Sequence, residues 1–119
     1  MADYVPDRWV LVEFQSEKIG KVKKIFGGWY GGYMGSDWWK LSSGVLEDQV
    51  VGNDESFLSP QESGSTYQVY KNSYGMTGYM GSIWRNWMDA LEKSEDKSTK
   101  VILMEEEDAI EYFKSKCQN

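Results

Sequence analysis

The chain has no histidine among its 119 residues. The commonest general base and the commonest metal ligand are therefore missing together. Ser-His-Asp and Cys-His chemistry are excluded. Carboxylates, lysines and tyrosines can still catalyse, but a hydrolase built on acids such as Asp37 and Asp89 has no spacing to support it. The lone cysteine, Cys117, permits neither an internal disulfide nor a cysteine-based metal site. Its place near the chain end does not suggest a nucleophile, and a reducing cytoplasm is expected. Glu105–Asp108 is a run of four carboxylates, without the alternating ligand spacing of a calcium loop. Neither a metal nor a cofactor is expected. No stretch approaches the ~20 apolar residues of a membrane span, and MADYVPDRW lacks the basic and apolar parts of a secretory signal. Cations are in the minority, 13 against 19 acids, for a net charge of −6. That balance argues against DNA or RNA as partner, since phosphate binding needs cations. It argues equally against an anionic membrane surface. A DNA mimic is disfavoured because the cations are interleaved with the acids.

Aromatic residues are abundant: six Trp, eight Tyr and four Phe. Each Trp or Tyr brings a large apolar area and a polar tip that needs a partner. A chain of this length buries roughly two-thirds of its unfolded surface, so residues 1–119 are expected to form one domain.

The hydrophobic pattern predicts strands first and helices later. Arg8–Gln15 alternates as a strand, and Lys21–Phe26 reads as its hairpin return. The adjacent lysines of that return suggest an edge or a bulge. Gly27–Gly35 reads as a flexible loop, Asp37–Ser43 as a strand, Val45–Val51 as a further strand, and Gly52–Gly64 as a loop containing Pro60. Ser65–Lys71 is strand-like. After a second Gly-aromatic loop at Asn72–Gly81, residues 82–93 place Ile83, Trp84, Trp87, Met88 and Leu91 on one helical face, with Ser82 as the N-cap. Thr99–Met104 resembles a central strand covered on both faces. Glu105–Lys116 is a helix whose acids and lysines suit the macrodipole. The expected fold class is α+β: a twisted antiparallel sheet carrying two helices in the C-terminal half.

The pentapeptide GYMGS occurs twice, at Gly32–Ser36 and Gly78–Ser82, each followed two residues on by Trp38 or Trp84. Glycines loosen the backbone, Tyr and Trp offer flat faces, and Ser offers a hydroxyl. The sequences after the two copies differ, so a repeat architecture is not indicated. Helix starts favour anions, and Arg85 could add a fork of donors there. Stacking a base on an aromatic ring contributes about 1–3 kcal/mol. A ligand site is therefore expected from Tyr33, Ser36, Trp39, Lys40, Ser43, Tyr74, Tyr79, Ser82 and Arg85. The alternative is structural: Trp38, Trp84 and Trp87 as core residues, and Gly-Ser as a plain cap.

WWKLSSGV and the later ESGSTYQVYKNSYGMTGYMGSIW resemble a group of small tailed-bacteriophage proteins. The matching residues are Trp38, Leu41, Ser43 and Gly44, then Gly64, Ser65 and Tyr67, then Tyr74, Gly75 and Tyr79. The resemblance covers about the middle half of the chain, and it implies a phage context without an activity. A phage protein of this kind is expected to act on host machinery in the host cytoplasm. The leading expectation is a non-enzymatic module that binds a small anionic or nucleotide-like molecule, sequestering a host nucleotide signal, with a homo-oligomer completing the pocket. The alternative is an acidic, aromatic inhibitor or adaptor that binds a host protein directly.

Overall fold

The computed structural model describes every residue except Met1, Tyr33 and Met34. Strand β1 (Arg8–Ser16) and strand β2 (Gly20–Trp29) form a long hairpin with an unbroken ladder from Arg8↔Gly28 to Ser16↔Gly20. The three-residue connection closes on Gly20 in the left-handed region (φ 74°), the conformation a short hairpin loop requires. Strand β3 (Trp38–Leu41) adds to β2, and a four-residue strand near the C-terminus, Lys100–Leu103, adds to the other side of β1. A second, smaller sheet comprises β4 (Val51–Gly52), β5 (Ser56–Pro60) and β6 (Thr66–Tyr70). The Lys100–Leu103 strand is β7, so the larger sheet runs β3-β2-β1-β7; every ladder in both sheets is antiparallel. Helices α1 (Gly78–Lys93) and α2 (Glu106–Lys116) lie in the C-terminal half. The fold is α+β.

Period-two alternation on β1 divides the core in two. Trp9 and Leu11 join Ile25 on one face, where they meet Val50, Phe57, Tyr67 and Val69 from the smaller-sheet region and Ala109 and Phe113 of α2. Val10 and Val12 join Phe26 on the opposite face, where Met80 of α1 is fully buried, with Trp39, Trp84 and Trp87 packed around it. The larger sheet is thus a middle layer, and β1 is buried on both faces. Each large side chain so buried contributes about 1.5–3 kcal/mol.

Several expectations are corrected by this arrangement. β2 is an interior strand without a bulge. Lys23 and Lys24 are tolerated because they diverge to opposite faces beyond the cores: Lys23 pairs with Glu13 at 2.8 Å, and Lys24 lies 5.3 Å from the Phe14 ring. Gly27 and Gly28 belong to β2 rather than to a loop, since Pro6 and Met80 occupy the space their side chains would fill. Val45–Val51 forms a single bridge, a 3-10 turn at Glu47–Gln49 and only a two-residue strand. The supposed loop at 52–64 contains β5, with Pro60 confined to its last position. β7 lies at the sheet edge, not its centre.

Helix α1 starts four residues before the expected N-cap. Thr77 caps it, with Met80 N–H donating to Thr77 Oγ1 at 3.1 Å and Thr77 N–H donating to Met80 Sδ at 3.3 Å. This reciprocal cap absorbs both glycines of the second pentapeptide into the first turns. Ser82 instead donates back to the Gly78 carbonyl at 3.4 Å.

Candidate functional site

Among the described residues, no hydrogen bond or ring contact joins the two pentapeptides. Tyr33 lies outside the described residues, and Ser36 is exposed in the β2–β3 connection. Trp39 packs edge-on against Phe26 and Trp87 on the α1 face. Tyr74 holds backbone: its hydroxyl accepts from Leu11 N–H at 3.0 Å and donates to the Met104 carbonyl at 2.7 Å. Burial pushes its pKa up to about 12, opposed by the Leu11 N–H and reinforced by nearby Glu105, Glu106 and Asp108. Tyr79 is exposed on the first turn of α1, while Ser82 and Arg85 lie further along it, bonded to each other at 3.3 Å. The expected anion site at the helix start is not assembled from Ser82 and Arg85, because the helix begins before them.

Lys40 and Ser43 do come together, in a hollow of about 360 Å³ over the edge of the larger sheet. Past Leu41 the chain runs on beside β2: Ser42 N–H donates to the Ile25 carbonyl, and Ser42 Oγ accepts from Ile25 N–H, both at 2.8 Å. Ser43 Oγ accepts from Ser63 N–H at 2.8 Å, which ties this segment to the β5–β6 turn. The N-terminal arm closes the opposite side. Asp3 and Tyr4 both donate from their N–H groups to the Thr66 carbonyl, and Gln68 N–H donates to the Tyr4 carbonyl at 2.9 Å. Tyr4 is thereby held over Tyr67, ring centroids 5.1 Å apart.

The chemistry of this hollow is one-sided. Lys40 reaches it from one face of the sheet, with Nζ 4.9 Å from the centroid of Tyr4, and Lys24 lines it from the other. Among the described residues neither lysine is within 4.0 Å of a carboxylate. Ser43, Ser63 and Ser65 supply hydroxyls. Tyr67, 1% exposed, lines the hollow, and its buried hydroxyl has no partner among the described residues. Burial first, and Tyr4 second, push its pKa above the usual tyrosine range, so the hydroxyl keeps its proton and can donate. Two cations and several hydroxyls, with no carboxylate among the lining residues, suit an acceptor-rich, negatively charged ligand. The volume is at the small end of the ~300–1,000 Å³ range of small-molecule sites.

Sequence reasoning missed Tyr4, Lys24, Ser63, Ser65 and Tyr67. The turn chemistry of Glu62–Gly64 hinted at a tight return, and Gly64 indeed has φ 98°. Nothing in the sequence placed Tyr4 beside Lys40.

Other concavities are chemically poorer. A groove of about 490 Å³ between α1 and the larger sheet is lined by Phe14, Leu41, Trp87, Leu91 and Val101 and offers few polar groups to orient a ligand. Glu105–Asp108 border an acidic hollow, but among the described residues no group of three or more acids or cysteines is placed to hold a metal ion. Among the described residues no helix is long and apolar enough to cross a membrane. No protein-family model matches this chain, and no curated protein or solved structure matches it either.

Proposed function

We propose that the chain is a non-enzymatic binding module for a small anionic, nucleotide-like molecule, held in the hollow between Tyr4, Lys40 and Tyr67. The observation that carries this reading is a hollow lined by two lysines that have, among the described residues, no carboxylate within 4.0 Å, and walled by Tyr67, whose buried hydroxyl has no partner there. An unpaired buried hydroxyl costs about 1–3 kcal/mol, and a ligand oxygen that shifts the wall enough to reach it would remove that cost. Lys40 and Lys24 would neutralise phosphate or carboxylate charge, while the serine hydroxyls would fix orientation. Tyr4 offers the aromatic face, shared with Lys40. Of the three stretches that carry the phage resemblance, two, around Leu41–Gly44 and Gly64–Tyr67, supply residues to this hollow, and the third, Tyr74–Tyr79, does not. Sequestration of a host nucleotide signal by a phage-encoded protein is the role this chemistry fits.

The test is a thermal-shift and calorimetric panel of inorganic phosphate and nucleoside mono- and diphosphates. A bound ligand raises the midpoint by linkage. Lys40→Ala should weaken that ligand about tenfold, the worth of one charge-assisted hydrogen bond. A panel with no shift, or a shift indifferent to Lys40→Ala, would overturn the assignment.

A second reading, direct contact with a host protein, has its own observation. Trp29 and Trp38 stack with ring centroids 3.9 Å apart and planes 6° from parallel, and Trp38 is 45% exposed beside the exposed Tyr30. Stacked, rigid indoles at a surface are what interface anchors look like. Trp38→Ala should then abolish recovery of one host protein from lysate while leaving phosphate binding intact.

A further inference from the structure

The edge of β7 carries an apolar strand without a neighbour. Ile102 is 43% exposed and Leu103 40%, and among the described residues no other strand lies beyond them. A long, apolar, unpaired edge invites pairing unless charge or proline interrupts it. β7 is short and opens on Lys100, but its last three residues, Val101–Leu103, carry neither charge nor proline.

The register says which backbone groups are open. Met104 N–H donates to the Leu11 carbonyl, and β1 faces β7 with Glu13↔Ile102 and Gln15↔Lys100. Antiparallel ladders alternate bonded and non-bonded pairs. Residues 104, 102 and 100 therefore turn their N–H and C=O toward β1, and Val101 and Leu103 turn theirs outward. Among the described residues nothing pairs with them.

We infer that β7 is a self-pairing edge, joining a second copy of this chain antiparallel about a two-fold axis. The outward groups fix the register. Val101 bonds with Leu103 of the second copy, and Leu103 with its Val101, through four backbone hydrogen bonds. Ile102 then faces its own counterpart across the axis. Two four-stranded sheets become one of eight strands, and each exposed Ile102 is covered by the other.

Charge completes the match. Lys100 opens β7 and Lys97 lies three residues before it, while Glu105, Glu106, Glu107 and Asp108 follow its end, all exposed. Antiparallel pairing sets the basic end of each copy beside the acidic end of the other, with Lys100 opposite Met104 and next to Glu105. Parallel pairing would stack like on like. An interface of this kind is isologous and closes at two subunits.

The test is site-directed cross-linking in a Cys117→Ser background. In a non-hydrogen-bonded pair the Cα atoms are about 4.5 Å apart, within disulfide reach. Ile102→Cys should give a disulfide-linked dimer under mild oxidation, whereas Lys100→Cys, facing Met104, should give little. The native chain should sediment as a dimer, and Leu103→Lys, at an exposed position, should sediment as a folded monomer. A native chain that stays monomeric, or Ile102→Cys cross-linking no better than Lys100→Cys, overturns the inference.

Discussion

The hydroxyl of Tyr74 stands between Leu11 and Met104, accepting from the N–H of one at 3.0 Å and donating to the carbonyl of the other at 2.7 Å. The return bond of that pair, Met104 N–H to the Leu11 carbonyl at 3.0 Å, is direct. A phenol thus splices the ladder where β1 and the chain leaving β7 begin to diverge. The Tyr74 ring is held edge-on to Trp9 at 4.7 Å, and its carbonyl accepts from Arg8 Nη2 at 2.7 Å. One side chain therefore couples the β6–α1 connection to the centre of the larger sheet.

Tyr74→Phe removes both bonds and leaves a backbone donor and acceptor to re-pair across a gap. The expected loss is about 1–3 kcal/mol, read as a lower urea midpoint with an unchanged slope.

Alkaline pH supplies a separate check. The Tyr74 hydroxyl has its pKa raised from 10.0 to about 12 in the fold, and those of Tyr67 and Tyr112 are raised too, in each case chiefly by burial. A raised pKa means that the unfolded chain gives up its proton first. Stability is therefore fully present below pH 10 and declines as pH rises through 12. Tyr74→Phe should flatten that decline; a decline of unchanged steepness in the variant would assign it to other groups.

Glu13 titrates at the other end of the scale. Its carboxylate accepts from Lys23 at 2.8 Å and from Gln15, in a pair whose side chains are less than one-fifth exposed. The Lys23 hydrogen bond, followed by that from Gln15, lowers its pKa below 4.5. The stability this confers is present above the unfolded value and lost as pH falls through the lowered one. Glu13→Gln should cost about 1.5–3 kcal/mol at neutral pH, the range of a charge-assisted bond. The difference from the native chain should close in acid, as pH titrations of thermal midpoint will show.

Much of the fold was legible because it follows local rules. The alternation of Arg8–Gln15, the apolar stripe of 82–93 and the charge order of α2 each specify an element by themselves. What stayed hidden depended on distant neighbours. Gly27 and Gly28 read as a loop because their reason for being glycine is Pro6 and Met80, far off in sequence. β5 was hidden by polar residues, two of which, Ser56 and Ser59, are buried. β7 was taken as central because an apolar run looks the same whether a strand or a second molecule covers it. For the site, Lys40 and Ser43 were legible from the residues that follow Trp38 and Trp39. Tyr4 and Tyr67 were not, since only the parallel bridge between the N-terminal arm and β6 brings them together.

Gly28 offers a sharp packing test. A Cβ there would stand 2.6 Å from Met80 Cγ and 3.3 Å from Thr77 Cγ2, against the capping turn of α1. Met80 is fully buried and cannot swing into solvent. Gly28→Ala should cost about 1–3 kcal/mol, as overpacking does, and Gly32→Ala should not reproduce it through contact, since nothing lies within 4 Å of that site. Equal thermal midpoints for native and Gly28→Ala proteins would mean that α1 is not seated on β2 as described.

Tyr67→Phe separates the binding role from the structural one. A tyrosine kept only for packing loses nothing when its unpartnered hydroxyl is removed. Stability should then hold or rise by about 1 kcal/mol, because a buried donor without an acceptor is a cost to the fold. A tyrosine kept for a ligand gives a different pair of results: the free protein is as stable or more so, but the anion that shifts the native midpoint binds less tightly. The two measurements move in opposite directions only if the hydroxyl serves the hollow. If Tyr67→Phe instead lowers the midpoint of the free protein, the hydroxyl has a partner within the fold, and the hollow loses the donor on which the binding assignment rests.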